Sequence, residues 1–493
     1  MKRRGLCLRP GAVIALAAFL PLPAMAQWVP QVLPPGVTLV LSVDLASPQE
    51  GAAGGYALSG GFQGRALFTT DGGTTWSAAQ VPAASRALVE VDMLEGGVGF
   101  IAGAVNTPFL SHPRAAAVLH HTDSSPASSQ RAAFHLRRGM DGVSAYRGMF
   151  LKTTDGGRSW LEYGDLPPET YYLYGVSFPS ADVGYVTAST TPNVGEATVL
   201  KTTDGGLTWS VQAAGDSIVS LPAIRFHDTL RGYAVGYQNR SQTISGVILR
   251  TADGGAVWER SVFPDVDHFA DVSIVDGSTA YAAGVGVLAS PVVYRTTDGG
   301  LSWTSLQAGT GTVLLEGISF AAGSSTGIIC GSGPGIGPYA ARTTDGGGTW
   351  TQALLPSLPG GTLLVGALLL DPLQGYITGG DPFSQGVVLF TANGGVAAVP
   401  GQEREPGGGL LWGGYPNPFN AVTHVTFRIP ERGHVRLSIH DVQGREVALL
   451  AEGLREPGSH TVAWHAAGAP SGVYFCRMAA GGRTETGKLL LLK

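Results

Sequence analysis

An Asp-Gly-Gly triplet preceded by threonine recurs along the chain, and its carboxylate is the first group to weigh for chemistry. The copies read TTDGGTTW at 69–76, TTDGGRSW at 153–160, TTDGGLTW at 202–209, TADGGAVW at 251–258, TTDGGLSW at 296–303 and TTDGGGTW at 343–350, with a decayed TANGGVAA at 391–398. Their acceptors are Asp71, Asp155, Asp204, Asp253, Asp298, Asp345 and Asn393. Such a side chain can accept hydrogen bonds from the N–H groups of its own turn, assisted by the threonine hydroxyls. The glycines supply the positive φ that a tight hairpin turn demands. Trp76, Trp160, Trp209, Trp258, Trp303 and Trp350 close the intact copies, and each is expected to fold under its turn as an apolar plug. A ligand site is seldom copied six times, so these residues are assigned to structure.

Two other groups have the chemistry to hold a ligand. The stretch 104–147 concentrates His112, His120, His121 and His135 with Arg114, Arg131, Arg137, Arg138 and Arg147, against Asp123 and Asp141. Loops on a rigid scaffold collect binding residues, and guanidinium groups suit carboxylates. His120, His121, His135, Arg131, Arg137 and Arg138 are therefore the candidate binding residues, for an acidic glycan or an acidic protein. Two adjacent histidines do not chelate one metal as a helical pair does, so no metal site and no cofactor is expected. The second group is Lys152, Lys201, Arg250, Arg295 and Arg342, each three residues before a box aspartate. They are expected to be solvated strand residues whose stems cover the blade's tryptophan or outer edge; a basic ring is the alternative. No phosphate-binding loop, serine elbow, HExxH helix or EF-hand loop occurs, and no catalytic residue is assigned.

The spacing defines the elements that must carry these groups. Successive acceptors lie 84, 49, 49, 45, 47 and 48 residues apart. A strand-like phrase alternates with the boxes: GYALSG, GFIAGA, GYVTAS, GYAVGY, AYAAGV, GIICGS and GYITGG. From its second residue to the box acceptor the spacing is 15, 55, 19, 20, 17, 17 and 17. Seven phrases and seven boxes make seven repeats, one carrying an insertion of about 38 residues within 104–147. A period near 47 is the size of a four-stranded propeller blade, so the fold class is all-β, with a seven-bladed β-propeller over 28–400. Only 14% of residues are charged, 73 of 493 are glycine, and the net charge is −5. That balance gives no whole-chain attraction to nucleic acid.

The TTDGGxTW phrase resembles the Asp box (BNR repeat) shared by sialidases, sortilin-type receptors and the photosystem II stability and assembly factor family. The pairing of GYAVG with a Lys/Arg-Thr-Thr-Asp-Gly-Gly box is most similar to the last of these. The resemblance implies structural boxes at the blade periphery and a non-catalytic binding or scaffolding propeller. Its rival is a sialidase-like glycoside hydrolase with paired carboxylates at the ring centre, about 5–10 Å apart. Phe427-Arg428-Ile429-Pro430 spells the sialidase FRIP motif, but it follows all seven boxes and is assigned to a strand ending at Pro430.

The chain ends carry export signals. Lys2, Arg3 and Arg4, the apolar run 12–20 and Ala24-Met25-Ala26 read as a signal peptide over 1–26, cleaved between Ala26 and Gln27. No segment has transmembrane length. A Pro/Gly-rich stretch at 401–411 reads as a linker. Beyond it, six alternating segments argue a small immunoglobulin-like β-sandwich. The opening Tyr415-Pro416-Asn417-Pro418-Phe419-Asn420, the HDVQGREV segment with Gly444 and Arg445, the GVYF segment with Gly472 and Tyr474, and the terminal GKLLLLK closely resemble the type A sorting domain of type IX secretion, over 412–493. That resemblance implies passage through an outer-membrane translocon, removal of the domain, and release or attachment to surface lipopolysaccharide.

Overall fold

The computed structural model describes residues 28–58, 63–105, 147–190, 196–212, 217–240, 242–309, 312–333, 337–381, 385–395, 411–415, 422–429, 432–456, 458–466, 468–481 and 483–491. The chain divides into two compact units, Met1–Ala397 and Ala398–Lys493.

The first unit is a seven-bladed β-propeller. Seven four-stranded antiparallel sheets follow one another, and six are formed from consecutive strands. Their inner strands are Leu39–Leu45, Ser85–Met93, Tyr172–Ser177, Ile218–Phe226, Val266–Ile274, Leu314–Phe320 and Leu363–Leu369. Each inner strand touches the next, and the ring closes where Leu363–Leu369 meets Leu39–Leu45. These strands are buried from end to end or nearly so, as expected for sheets covered by a neighbour on each face.

The seventh blade is completed by the other end of the chain. Its outer strand is Val29–Pro30, pairing with Phe390 and Leu389. Trp28, just before it, is 1% exposed and packs with Ile328, Leu369, Ile377 and Leu389. It stands over Gly395 of the decayed seventh box, as Trp76 stands over Gly73 and Trp258 over Gly255. The tryptophan missing from that box is thus supplied by the N-terminal segment.

The box turns join third and fourth strands at the outer part of each blade, and both glycines take positive φ in all seven copies, Gly394 and Gly395 included. In blade 1 the structure corrects the phrase alignment. Gly51-Ala52, and not Gly55-Tyr56, occupies the place of Gly99-Phe100, since Gly51 pairs with Thr69 as Gly99 pairs with Thr153. Tyr56 lies at the strand's other end, in an apolar cluster with Leu39, Leu41 and Val365. The odd spacing of 15 residues comes from this four-residue offset.

The second unit is an immunoglobulin-like pair of sheets. One orders Leu411–Tyr415, Val422–Ile429 and Gly458–His465; the other Glu446–Arg455, Gly433–His440, Gly472–Ala480 and Arg483–Leu491. Leu411–Tyr415 is a seventh strand beyond the six expected. Val425, Phe427, Leu437, Trp464, Tyr474 and Leu489 fill the core. Phe427 and Ile429 of the FRIP phrase are both buried in that core, on a strand ending at Ile429.

Candidate functional site

The box carboxylates are saturated by their own turns. Asp71 accepts the Thr75 N–H at 2.9 Å and the hydroxyls of Thr69 and Thr75 at 2.9 and 2.7 Å, while Thr69 Oγ1 accepts the Gly73 N–H. The same circuit recurs at Asp155, Asp204, Asp298 and Asp345. Asp253 lacks one hydroxyl because Val257 replaces it, and Asn393 keeps the Thr391 and Gly395 contacts. Hydroxyl and N–H donation to the ionised form holds Asp204 and Asp345 down at about 2.

The box tryptophans wedge between blades. Trp76 and Trp160 are buried, whereas Trp209, Trp258, Trp303 and Trp350 are half-buried, because the box lies at the outer rim where the joint opens. Below three of them an aromatic of the preceding blade stacks on a phenylalanine of the next: Phe100 on Phe178, Tyr185 on Phe226 and Tyr281 on Phe320, each pair at 3.6 Å. The tyrosine hydroxyls of 185, 281 and 376 donate to the box carbonyls of Gly254, Gly346 and Gly72 in the following blade.

The basic residues before the boxes belong to the same joints. Lys152 Nζ donates to Gly205 O at 3.1 Å, Lys201 Nζ to Gly254 O at 2.6 Å and Arg250 Nε to Gly299 O. Arg342 reaches Pro372 O at 2.9 Å, and the Arg295 guanidinium lies over the Tyr281 ring. They are neither merely solvated nor gathered into a ring: each cation caps an aromatic of its own blade or a backbone carbonyl of the next.

At the ring centre, one position recurs as an acceptor for the next blade on five of the seven inner strands, the seventh blade carrying Leu368 there. Asp44 accepts the Met93 N–H at 2.7 Å, Asp92 that of Phe178, Ser177 that of Phe226, Ser273 that of Phe320 and Ser319 that of Leu369. Blade 4 carries Arg225 there instead. It donates to Glu90 of blade 2 at 2.5 Å; in blade 3 the place of Glu90, two residues before Ser177, is taken by Gly175, where a Cβ would strike Ile224. Burial opposes the Arg225 charge, but Glu90, Asp271 and Asp92 overcome it and hold the guanidinium protonated. Asp271 in turn accepts the Val272 and Ile318 N–H groups. No local spacing announces this group, since Glu90 and Arg225 are 135 residues apart.

Asp44 and Asp92 lie close together, and both carboxyls are held above the ordinary carboxylate range. Burial first, and then the neighbouring carboxylate, push Asp44 up; burial likewise raises Asp92. The folded protein therefore holds a proton that the unfolded chain releases, and the stability contributed by this pair falls as pH rises from the ordinary carboxylate range upward. The box aspartates have the opposite sign: their contribution is complete above that range and is lost as pH falls toward about 2. Thermal denaturation is expected to show decreasing stability from about pH 5 to about pH 8, and Asp44→Asn with Asp92→Asn should flatten that slope. An unchanged slope in the double variant would contradict the raised carboxyls of this pair.

The candidate binding residues His120, His121, His135, Arg131, Arg137 and Arg138 lie outside the described residues. The stretch that carries them leaves blade 2 at Val105 and returns at Arg147, which pair in register. Those roots are at the opposite end of the third strand from the box turn, hence on the opposite face. Ala26, Gln27 and the Pro416–Asn420 motif also lie outside the described residues. Gly444 and Arg445 form a tight turn in which Asp441 accepts the Arg445 N–H at 2.9 Å and its Nε–H at 2.7 Å. Tyr474 is buried against Trp464, its hydroxyl donating to Pro470 O. Among the described residues, no three His, Cys, Asp or Glu side chains converge as a metal site, and no helix is long and apolar enough to cross a membrane.

The secretion system C-terminal sorting domain family matches residues 414–492. The chain matches no curated protein. Among solved structures it is similar to YCF48 from Cyanidioschyzon merolae, at TM-score 0.50 and 16% identity, over 74% of this chain and 99% of that one. It is also similar to YCF48 bound to D1 peptide, at TM-score 0.49 and 16% identity, over 74% and 97%. A third likeness is to the GH74 xyloglucanase from Xanthomonas campestris, at 0.49 and 12%, over 82% and 59%. The first of these shows a shared propeller fold. The sorting domain marks the chain for the type IX secretion machinery and for a secreted or outer-surface location.

Proposed function

We propose that the exported propeller is a non-catalytic binding or scaffolding module whose specificity resides in the blade 2 segment between Val105 and Arg147, with an acidic glycan or acidic protein as ligand. The observation that carries this reading is the contrast within the ring. The box acids are saturated by their own turns, and the box tryptophans and the basic residues before the boxes are engaged at blade joints. The segment 106–146 breaks the repeat and concentrates arginine and histidine in a chain otherwise sparse in charge. Its roots, Val105 and Arg147, lie on the face opposite the boxes, and loops on a rigid scaffold are where binding residues collect.

Replacing 108–146 by a short turn should leave the melting temperature nearly unchanged while abolishing capture of acidic ligands on a glycan array and in pull-downs. Capture retained by the trimmed protein would move the site to the ring centre.

A second reading, hydrolysis of a polysaccharide, draws on the raised Asp44–Asp92 pair, because perturbed carboxylates gather at catalytic sites. Against it stands the use of both carboxylates as acceptors for the next blade's backbone. Release of reducing sugar by the intact protein, abolished in Asp92→Asn, would favour this second reading.

A further inference from the structure

A pocket of about 270 Å³ opens at the edge of blade 2, where its third and fourth strands meet the connection into blade 3. Arg147, Glu162, Tyr163, Asp165, Pro167 and Thr170 line it. Its walls are pinned by backbone hydrogen bonds: Tyr163 N–H to Phe150 O at 3.0 Å, Gly148 N–H to Thr170 O at 2.9 Å, Thr170 N–H to Pro167 O at 3.1 Å and Asp165 N–H to Leu207 O at 2.9 Å. Gly164, at φ +76°, sits so close to the Gly206 carbonyl that any side chain there would collide with it. Pro167 and Pro168 fix their own φ. The shape therefore exists before any ligand arrives, and its volume, just under the ~300–1,000 Å³ of small-molecule sites, suits one small ring.

The lining is polar, paired in sign and edged with apolar surface. Arg147 forms an ion pair with Glu162, which sets donors beside acceptors on one wall. Among the described residues, the Asp165 carboxylate and the Tyr163 hydroxyl take no side-chain hydrogen bond. The Lys152 ammonium lies 4.5 Å from the centre of the Tyr163 ring. Adjacent donors and acceptors match vicinal hydroxyls, and the ring faces of Tyr163 and Pro167 match the C–H face of a pyranose. With Arg147 paired to Glu162 and the Asp165 carboxylate beside them, nothing here favours an anionic ligand. We propose that this pocket binds a single neutral sugar ring of an extracellular saccharide. The proposal rests on the reading of the ring as a binding module but uses a different site. Acidic-ligand capture with no hexose bound here would leave that reading standing and remove this one.

Titration of the full chain with glucose, galactose, mannose and N-acetylglucosamine, followed by saturation-transfer NMR and calorimetry, tests it, with glucuronate as the anionic comparison. At least one neutral sugar is expected to bind saturably, with Kd on the order of 1 mM. Asp165→Asn and Glu162→Gln should each weaken binding about tenfold, with near-UV circular dichroism unchanged, because neither side chain is buried. No saturable neutral sugar, equal binding by both variants, or preference for glucuronate would each overturn the proposal.

Discussion

Trp28→Ala is expected to destabilise the propeller by about 3–5 kcal/mol, the cost of truncating a large buried aromatic. The side chain is 1% exposed and holds together residues from blades 6 and 7: Ile328 and Ala340 on one side, Leu369, Ile377 and Leu389 on the other. Its place cannot be refilled from the seventh box, which carries Ala398 where the other boxes carry tryptophan. The loss also loosens the strand behind it, because Val29–Pro30 makes only a two-residue pairing with Phe390 and Leu389. Opening there exposes an unpaired strand edge of the one blade built from both chain ends. Trp209→Ala is the comparison: that tryptophan is half-buried, so its removal should cost less. Urea denaturation of the two variants checks the order. A Trp28 variant within about 1 kcal/mol of the parent, as surface changes are, would show that the N-terminal segment merely lies on the ring.

The seven repeats, the hairpin boxes and the sandwich were legible because each rests on local chemistry copied many times. A glycine pair needing positive φ, an acceptor two residues after a threonine and a tryptophan behind them are visible in one window of eight residues. Closure was not legible. A two-residue strand has no period to detect, and its partner lies some 360 residues away. One signal did exist: the seventh box lacks its tryptophan, and an unassigned tryptophan stands at position 28. The basic residues before the boxes were legible as a repeat but not as a joint, since their acceptors belong to the following blade. The phrase in blade 1 misled for a related reason. Tyr56 imitates the aromatic of the other repeats, yet strand register places Ala52 there.

The ring centre was least legible, and it gives the second large expected effect. Arg225→Ala should destabilise the propeller by about 3 kcal/mol, the low end for breaking a buried ion pair, because the arginine side chain keeps 33% of its surface exposed. The loss falls mainly on what remains. Glu90 is 3% exposed, and without the guanidinium its charge is buried beside Asp92, already raised by burial. Arg225→Ala combined with Glu90→Gln should recover part of the loss, because the stranded charge is gone and only the bridge from blade 4 to blade 2 is missing. A double variant as unstable as the sum of the two singles would mean that Arg225 acts through packing alone. Gly175→Ala should add a separate defect at the joint between blades 3 and 4, through the clash of its Cβ with the Ile224 backbone.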